Sequence, residues 1–364
     1  MKKDKILDSS ENQSKPVKLG IIGAGFIGQL CHLMNYVEID DCEIVALAEI
    51  RPKLRRMVAR RYGIPRTYSS HKDLLESEPE VEAIVAVTKR TMMGPIAFDC
   101  LNAGKSLMTE KPMASTLDQA KQLVEASCLN NVVYKVGYHR LYDEGVQKAK
   151  SILNELVETE ELGPITYVRA HRFSGTGYCN CDGHIVTDEA NSGEGHQWPC
   201  APEWIAPEWK EHYHQYLNTY CHNISLLRYL IGKTPVVESV NLARKGGRVA
   251  VFNFGDFVGI LETGYYADHG WDEITEIYFS KGCLRIKTPP HLLRNVPAQI
   301  ELYKRGEKSE LVSPICGWTW SFRRQAEAFI EDVASGQIGL GGGEDSLEDM
   351  RLIEEIWRKQ LNVG

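Results

Sequence analysis

The sequence contains no stretch of about 18 or more apolar residues, the length needed to cross a hydrocarbon core, so no membrane span is expected. It also lacks a basic excess. The 42 Lys and Arg stand against 49 Asp and Glu, and a net charge of -7 argues against a nucleic-acid partner. A single cofactor phosphate stays compatible with that balance, because backbone N–H groups can hold one locally. The opening MKKDKILDSSENQSKP lacks the apolar core of a signal peptide and reads as a flexible tail over residues 1–16. The ten cysteines show no secreted-domain spacing in a chain of 364 residues, so reduced thiols in a cytoplasm are the expectation. Internal repeats and low-complexity runs are missing too, which removes solenoids and tandem arrays.

What is present suits a globular protein of two domains, with 43% hydrophobic residues available for a core. Apolar strands are predicted at Val17–Gly23, Cys42–Ala48, Val81–Val87, Lys105–Met108 and Val132–Val136. Between them lie segments of helical period, including Phe26–Val37, Lys53–Arg61, Ile96–Ala103 and Thr116–Leu129. That alternation implies a parallel sheet with right-handed crossovers, an α/β Rossmann domain over 17–137. Beyond it, strands at Ile165–Phe173, Val236–Ala243, Val249–Phe254, Phe257–Ala267, Glu273–Phe279 and Gly282–Lys287 predict an α+β domain over 138–364. Its sheet is large, open and mostly antiparallel, and helices at Ser321–Ser335 and Leu347–Leu361 close the chain. The segment Ser174–Pro207 has no clear period, and a loop that long is more often functional than inert.

Gly23-Ala24-Gly25-Phe26-Ile27-Gly28 fits G-x-G-x-x-G between a strand and a helix. The first glycine permits the tight turn, the second admits a pyrophosphate, and the third lets helix and strand approach. Glu49 closes the second strand about twenty residues on, where a carboxylate accepts ribose hydroxyls. It repels a 2′-phosphate, so NAD is expected over NADP, although Arg51, Arg55 and Arg56 follow closely. At the carboxyl edge of the sheet, Thr109-Glu110-Lys111-Pro112 places a lysine where it would project toward the nicotinamide, positioned to shuttle a proton.

The glycine turn, the Glu110-Lys111-Pro112 motif and Gly137-Tyr138-His139-Arg140 occur in this order, and together they resemble the Gfo/Idh/MocA oxidoreductases. The similarity runs on through Phe329, Gly336 and Gly343-Glu344-Asp345 into the last helix. It implies a Rossmann domain followed by an open-faced sheet domain, a homo-oligomer, and a small-molecule substrate held between the domains. Lys111 matches the family's active-site lysine, and Thr88 lies where its cofactor-contacting loop begins. Glu110 and His139 join the cofactor set by the same resemblance, and Tyr138, Arg140 and Asn218 the substrate set. His222, on the helical segment Asn218–Gly232, matches the catalytic histidine.

Two departures stand out. Asn218 and Ser225 occupy positions where the family often has Asp, so Asn218 is expected to bond the His222 ring without stabilising an imidazolium. Thr88-Lys89-Arg90-Thr91-Met92-Met93 replaces the usual Thr-Pro-x-x-x-His.

The region after Ser174 carries Tyr178, His184, His196, Trp198, Trp204, Trp209, Tyr213 and His214, and aromatic faces suit sugar rings. Trp198 is taken from it as a substrate candidate, against the competing reading that these rings pack the loop on its own domain. Cys179, Cys181, His184, His196 and Cys200 match no paired-Cys zinc knuckle, and no metal is assigned. With no dense Arg/Lys cluster in the sequence, a neutral sugar, polyol or glycoside is the expected substrate, oxidised by NAD at a secondary hydroxyl. Carbon 3 of a glucosyl unit is the foremost candidate. An NAD-using glycosidase acting by oxidation and elimination, and a non-catalytic NAD-binding regulator, are the rival readings.

Overall fold

The computed structural model describes residues 15–363 apart from 177, 191–196, 244–245 and 266–269. Its first sheet is built from β1 (Val17–Ile22), β2 (Cys42–Ala48), β3 (Arg66–Tyr68), β4 (Ala83–Ala86), β5 (Ser106–Thr109) and β6 (Tyr134–Val136). All pair in parallel, in the order β3-β2-β1-β4-β5-β6. Its central strands are apolar runs because helices cover both faces of the sheet. Edge strand β3, three residues with partly exposed side chains, has no such signature and was not expected from the sequence.

After the glycine turn, Gly28–Leu33 winds as a π-helix and continues as the short α1 (Met34–Tyr36). The remaining crossovers are α2 (Pro52–Tyr62), α3 (His71–Ser77), α4 (Arg90–Asn102) and α5 (Leu117–Leu129). Local chemistry sets their ends. Pro52 opens α2 and Gly63, at φ 67°, stops it, while the Thr116 side chain caps α5 by accepting from the Gln119 N–H.

The second sheet has eight strands. After α6 (Glu144–Thr159) come β7 (Ile165–Ser174) and α7 (Pro207–Ile231). Then follow β8 (Val236–Asn241), β9 (Gly247–Asn253), β10 (Val258–Tyr265), β11 (Trp271–Phe279), β12 (Gly282–Lys287), β13 (Gln299–Lys304) and β14 (Glu310–Val312). The order is β14-β13-β12-β11-β7-β10-β9-β8, antiparallel except for β7 with β10. One face packs on α6 and α7. The other carries an ion-pair ladder, Glu262–Arg169–Glu276–Arg285–Glu301, across five strands.

The last helices, α8 (Ser321–Ser335) and α9 (Gly343–Leu361), return to the first sheet. Ala326, Phe329 and Ile330 of α8 share a core with Leu19, Ile21 and Val85, and Lys135 at the edge strand is ion-paired with Asp332. The carboxyl-terminal segment thus clamps both sheets rather than belonging to the second alone. Among the described residues, no helix is long and apolar enough to cross a membrane.

Candidate active site

Register decides which residues meet. Ile22 of β1 lies level with Ala48 of β2 and Ala86 of β4, and Ala86 is level with Thr109 of β5. The residues that follow these strand ends, Gly23, Glu49, Val87-Thr88 and Glu110-Lys111, therefore line one edge of the sheet. Gly23 takes φ 91° with its would-be Cβ 2.1 Å from the Val87 carbonyl oxygen, and a Cβ on Gly28 would sit 2.6 Å from the Gly23 oxygen. A Cβ on Gly25 would meet nothing within 4 Å. The turn is closed on the protein side and open outward at Gly25, which is the space a pyrophosphate needs. Gly23, Gly25, Phe26, Ile27, Gly28, Glu49, Arg51 and Thr88 border a groove of about 960 Å³, together with Ser69, Ser70 and His71. These residues fit a dinucleotide.

Glu49 lies in that groove with its carboxylate fully engaged. Oε2 accepts from the Ala24 N–H at 2.9 Å, and the Arg51 guanidinium and N–H bond both oxygens at 2.8–3.0 Å. Burial raises this carboxyl, but the bonds from Arg51 and Ala24 outweigh it and hold the group below its ordinary range.

A second cavity of about 520 Å³ adjoins the groove and shares Ile27, Val87, Thr88 and Lys89 with it. Its wall on the second domain is one face of α7, where His214, Asn218 and His222 follow at intervals of four residues. The Lys111 ammonium donates to the backbone oxygen of Asn218 at 2.9 Å and to its Oδ1 at 3.3 Å. Arg90, the first residue of α4, donates to the His214 carbonyl at 3.2 Å. Glu110 accepts from the Lys111 N–H and is joined to His32 of the first helix at 2.8 Å, which ties the lysine loop to the glycine turn's helix.

His222, His139 and His291 cluster deeper in the cavity, with ring centroids 4.9, 5.8 and 6.3 Å apart. His139 is stacked on Phe322 at 4.2 Å, and its Nδ1 meets the Ser321 hydroxyl at 2.8 Å. His139 Nε2, His222 Nδ1 and His291 Nδ1 are buried without a partner. Burial, reinforced by the charges of Lys111 and Arg140, depresses all three imidazoles well below their ordinary range and keeps them neutral. Glu273 fixes this corner, pairing with Arg140 at 2.6 Å and accepting from the Asn223 amide at 3.0 Å, one residue past His222.

Several expected contacts are otherwise. Tyr138 is 1% exposed and packs edge-on behind His222, so it belongs to the core rather than to the cavity wall. Arg140 is 3% exposed and committed to Glu273, one layer behind the imidazoles. Asn218 serves Lys111 instead of the His222 ring.

Trp198 lies away from Lys111. It covers Gly94 and Phe98 of α4 beside the dinucleotide groove, its position fixed by Pro95. Proline has no N–H to give the Thr91 carbonyl, and the Trp198 N–H takes that acceptor at 3.1 Å. Trp209, Tyr213 and His214 belong to α7, not to a loop, because the helix begins at Pro207. The segment before it docks on the Rossmann domain: Gln29 exchanges two hydrogen bonds with Ile185, and Glu189 accepts from the Lys53 and Leu54 N–H groups at the start of α2. His196 lies outside the described residues.

Sequence reasoning missed Arg90, His291, His32 and Phe322. Arg90 lies in the stretch that departs from the family's loop pattern, His291 and Phe322 line the cavity from outside any motif, and His32 acts one step back through Glu110.

The fold and the cavity at its strand ends define a dinucleotide-dependent oxidoreductase. Residues 17–138 match the family described as oxidoreductase family, NAD-binding Rossmann fold. Over this domain the chain is similar to the Gfo/Idh/MocA oxidoreductases. Myo-inositol 2-dehydrogenase of Thermotoga maritima is 24% identical over 90% of this chain and 92% of that protein. Levoglucosan dehydrogenase, solved with NADH and levoglucosan, superposes with a TM-score of 0.72 at 16% identity, covering 96% of this chain and 98% of that one. A 3-ketoreductase from Actinomadura kijaniata, solved with NADP and TDP-benzene, gives 0.71 at 17% identity, covering 95% and 98%. At such identities the two structures establish a shared fold.

Proposed function

We propose that the protein oxidises a secondary hydroxyl of a sugar, polyol or glycoside with NAD, and that carbon 3 of a glucosyl unit is the position to test first. The observation that carries this reading is the Lys111 ammonium docked on α7 one turn before His222, in a cavity continuous with the glycine-turn groove. When bound, the nicotinamide supplies the hydride acceptor. Lys111 uses two of its three N–H donors on Asn218, and the third is available to a substrate oxygen. His222, held neutral by burial, can take the hydroxyl proton. Lys111 then faces the negative charge that develops on the substrate oxygen. His139, buried against Phe322, fills the space beside His222 and excludes water there.

Purified enzyme, NAD and a panel of glycosides and polyols, followed by NADH absorbance and by mass analysis for keto products, tests the reading. Lys111→Met should lower turnover by about 10²- to 10⁴-fold with NAD affinity nearly unchanged. Undiminished turnover would refute the role. Free sugar released without net NADH would identify the oxidation–elimination glycosidase instead.

A further inference from the structure

We infer that the cavity contains a subsite for an anionic substituent of the substrate, a carboxylate or a phosphate ester, with Arg90 as its specificity-determining residue. The inference rests on the dehydrogenase reading only for the placement of the reacting hydroxyl. Arg90 lines the substrate cavity and not the dinucleotide groove. Its guanidinium is half-buried and bonded to one neutral acceptor, the His214 carbonyl. Among the described residues no carboxylate lies within 4.0 Å of it. Glu211, whose charge reaches it from the preceding turn of α7, is exposed and engaged with His214 and Gln215.

The position is electrostatically odd. Arg90 is the first residue of α4, where the helix already presents partial positive charge, and cations there are disfavoured. A second cation stands nearby, because the carbonyls of His214 and Asn218 that receive Arg90 and Lys111 are about 6 Å apart along α7. The cavity's carboxylate, Glu110, is turned to His32 and the Lys111 N–H. Arg90 and Lys111, two of the three cations lining the cavity, share it with one acid that is spoken for, and this leaves an anion-sized deficit. A planar guanidinium fits an oxyanion through two parallel N–H bonds. The separation is about one helical turn, roughly the width of a pyranose ring. A sugar hydroxyl held at Lys111 and His222 would therefore bring a substituent across the ring to Arg90.

The test uses the NADH-loaded protein and three probes: methyl β-D-glucopyranoside, its 6-carboxylate counterpart methyl β-D-glucopyranosiduronate, and glucose 6-phosphate. Affinities come from calorimetry, and NADH formation is followed in parallel with NAD. At least one anionic probe should bind tenfold or more tightly than the neutral glycoside, and the tighter of the two identifies the anion. Arg90→Gln should bring the ratio of anionic to neutral affinity down to about one with NAD affinity unchanged, and Arg90→Lys should restore part of it. The inference is overturned if the neutral probe binds as well as both anions, if Arg90→Gln weakens charged and neutral probes alike, or if it weakens NAD. Turnover of the neutral glycoside without anion preference would sink the subsite and spare the dehydrogenase. Anion binding governed by Arg90 without any NADH would do the reverse.

Discussion

Glu49 shows how one residue's surroundings qualify its motif. The acidic end of the second strand points to a ribose contact, but in the fold its oxygens are occupied by Arg51 and the Ala24 N–H. Arg51 therefore partly neutralises the charge that would repel a 2′-phosphate. Removing it by Arg51→Ala exposes that charge, and the preference for NAD over NADP should rise about tenfold, or about 1.4 kcal/mol. Calorimetry with each dinucleotide reads this directly, and a loss of NAD affinity would contradict it. Residue identity was legible here from the strand-end position. The partner was not, because a guanidinium two residues on can face either way until α2 begins at Pro52.

At the scale of elements, α4 carries a docking device. Gly94 and Pro95 together accept Trp198, the glycine by leaving room and the proline by leaving the Thr91 carbonyl unbonded. A Cβ at position 94 would lie 2.2 Å from the indole ring. Gly94→Ala should thus displace Trp198, cost about 1–3 kcal/mol of stability by overpacking, and weaken dinucleotide binding several-fold. Thermal unfolding and NADH titration measure both, and an unchanged melting midpoint would argue against the contact.

Strongly periodic elements were readable: β2 and α8 have the bounds their apolar patterns predict. The first half of α7 was hidden because Trp209, His212, Tyr213 and His214 follow no clean apolar period. Short edge strands β3 and β14 offered three residues each, too few for any period to register.

For the whole molecule, the imidazole cluster joins three parts of the chain and is kept neutral by burial. Each of these histidines binds its proton more readily in the unfolded chain, at about pH 6.5, than in the fold. Below that value the unfolded state takes up more protons, so their contribution to stability is present above pH 6.5 and is lost as the pH falls toward the depressed folded values. The buried carboxyl of Asp349, pushed up to about 7 by burial beside Arg228, acts in the opposite sense, so the clean measurement is a difference. His291→Gln should flatten the acid side of the stability curve by about 1.4 kcal/mol per pH unit relative to the parent. Parallel curves from pH 7 to pH 5 would show that His291 is not held neutral.

Local pattern alone determined the Rossmann half, the glycine turn, the acid after β2 and the lysine after β5, since each depends on neighbours within a few residues along one strand and its turn. The open sheet was also foreseeable as a class of structure. Only tertiary structure brought Arg90, Lys111, His139, His222 and His291 around one cavity. They come from different elements, and sequence spacing says nothing of distance once strands align and α7 lies across their ends. An apparent lack of clustered positive charge along the chain became, in three dimensions, a pocket lined by Lys89, Arg90 and Lys111 against the single acid Glu110.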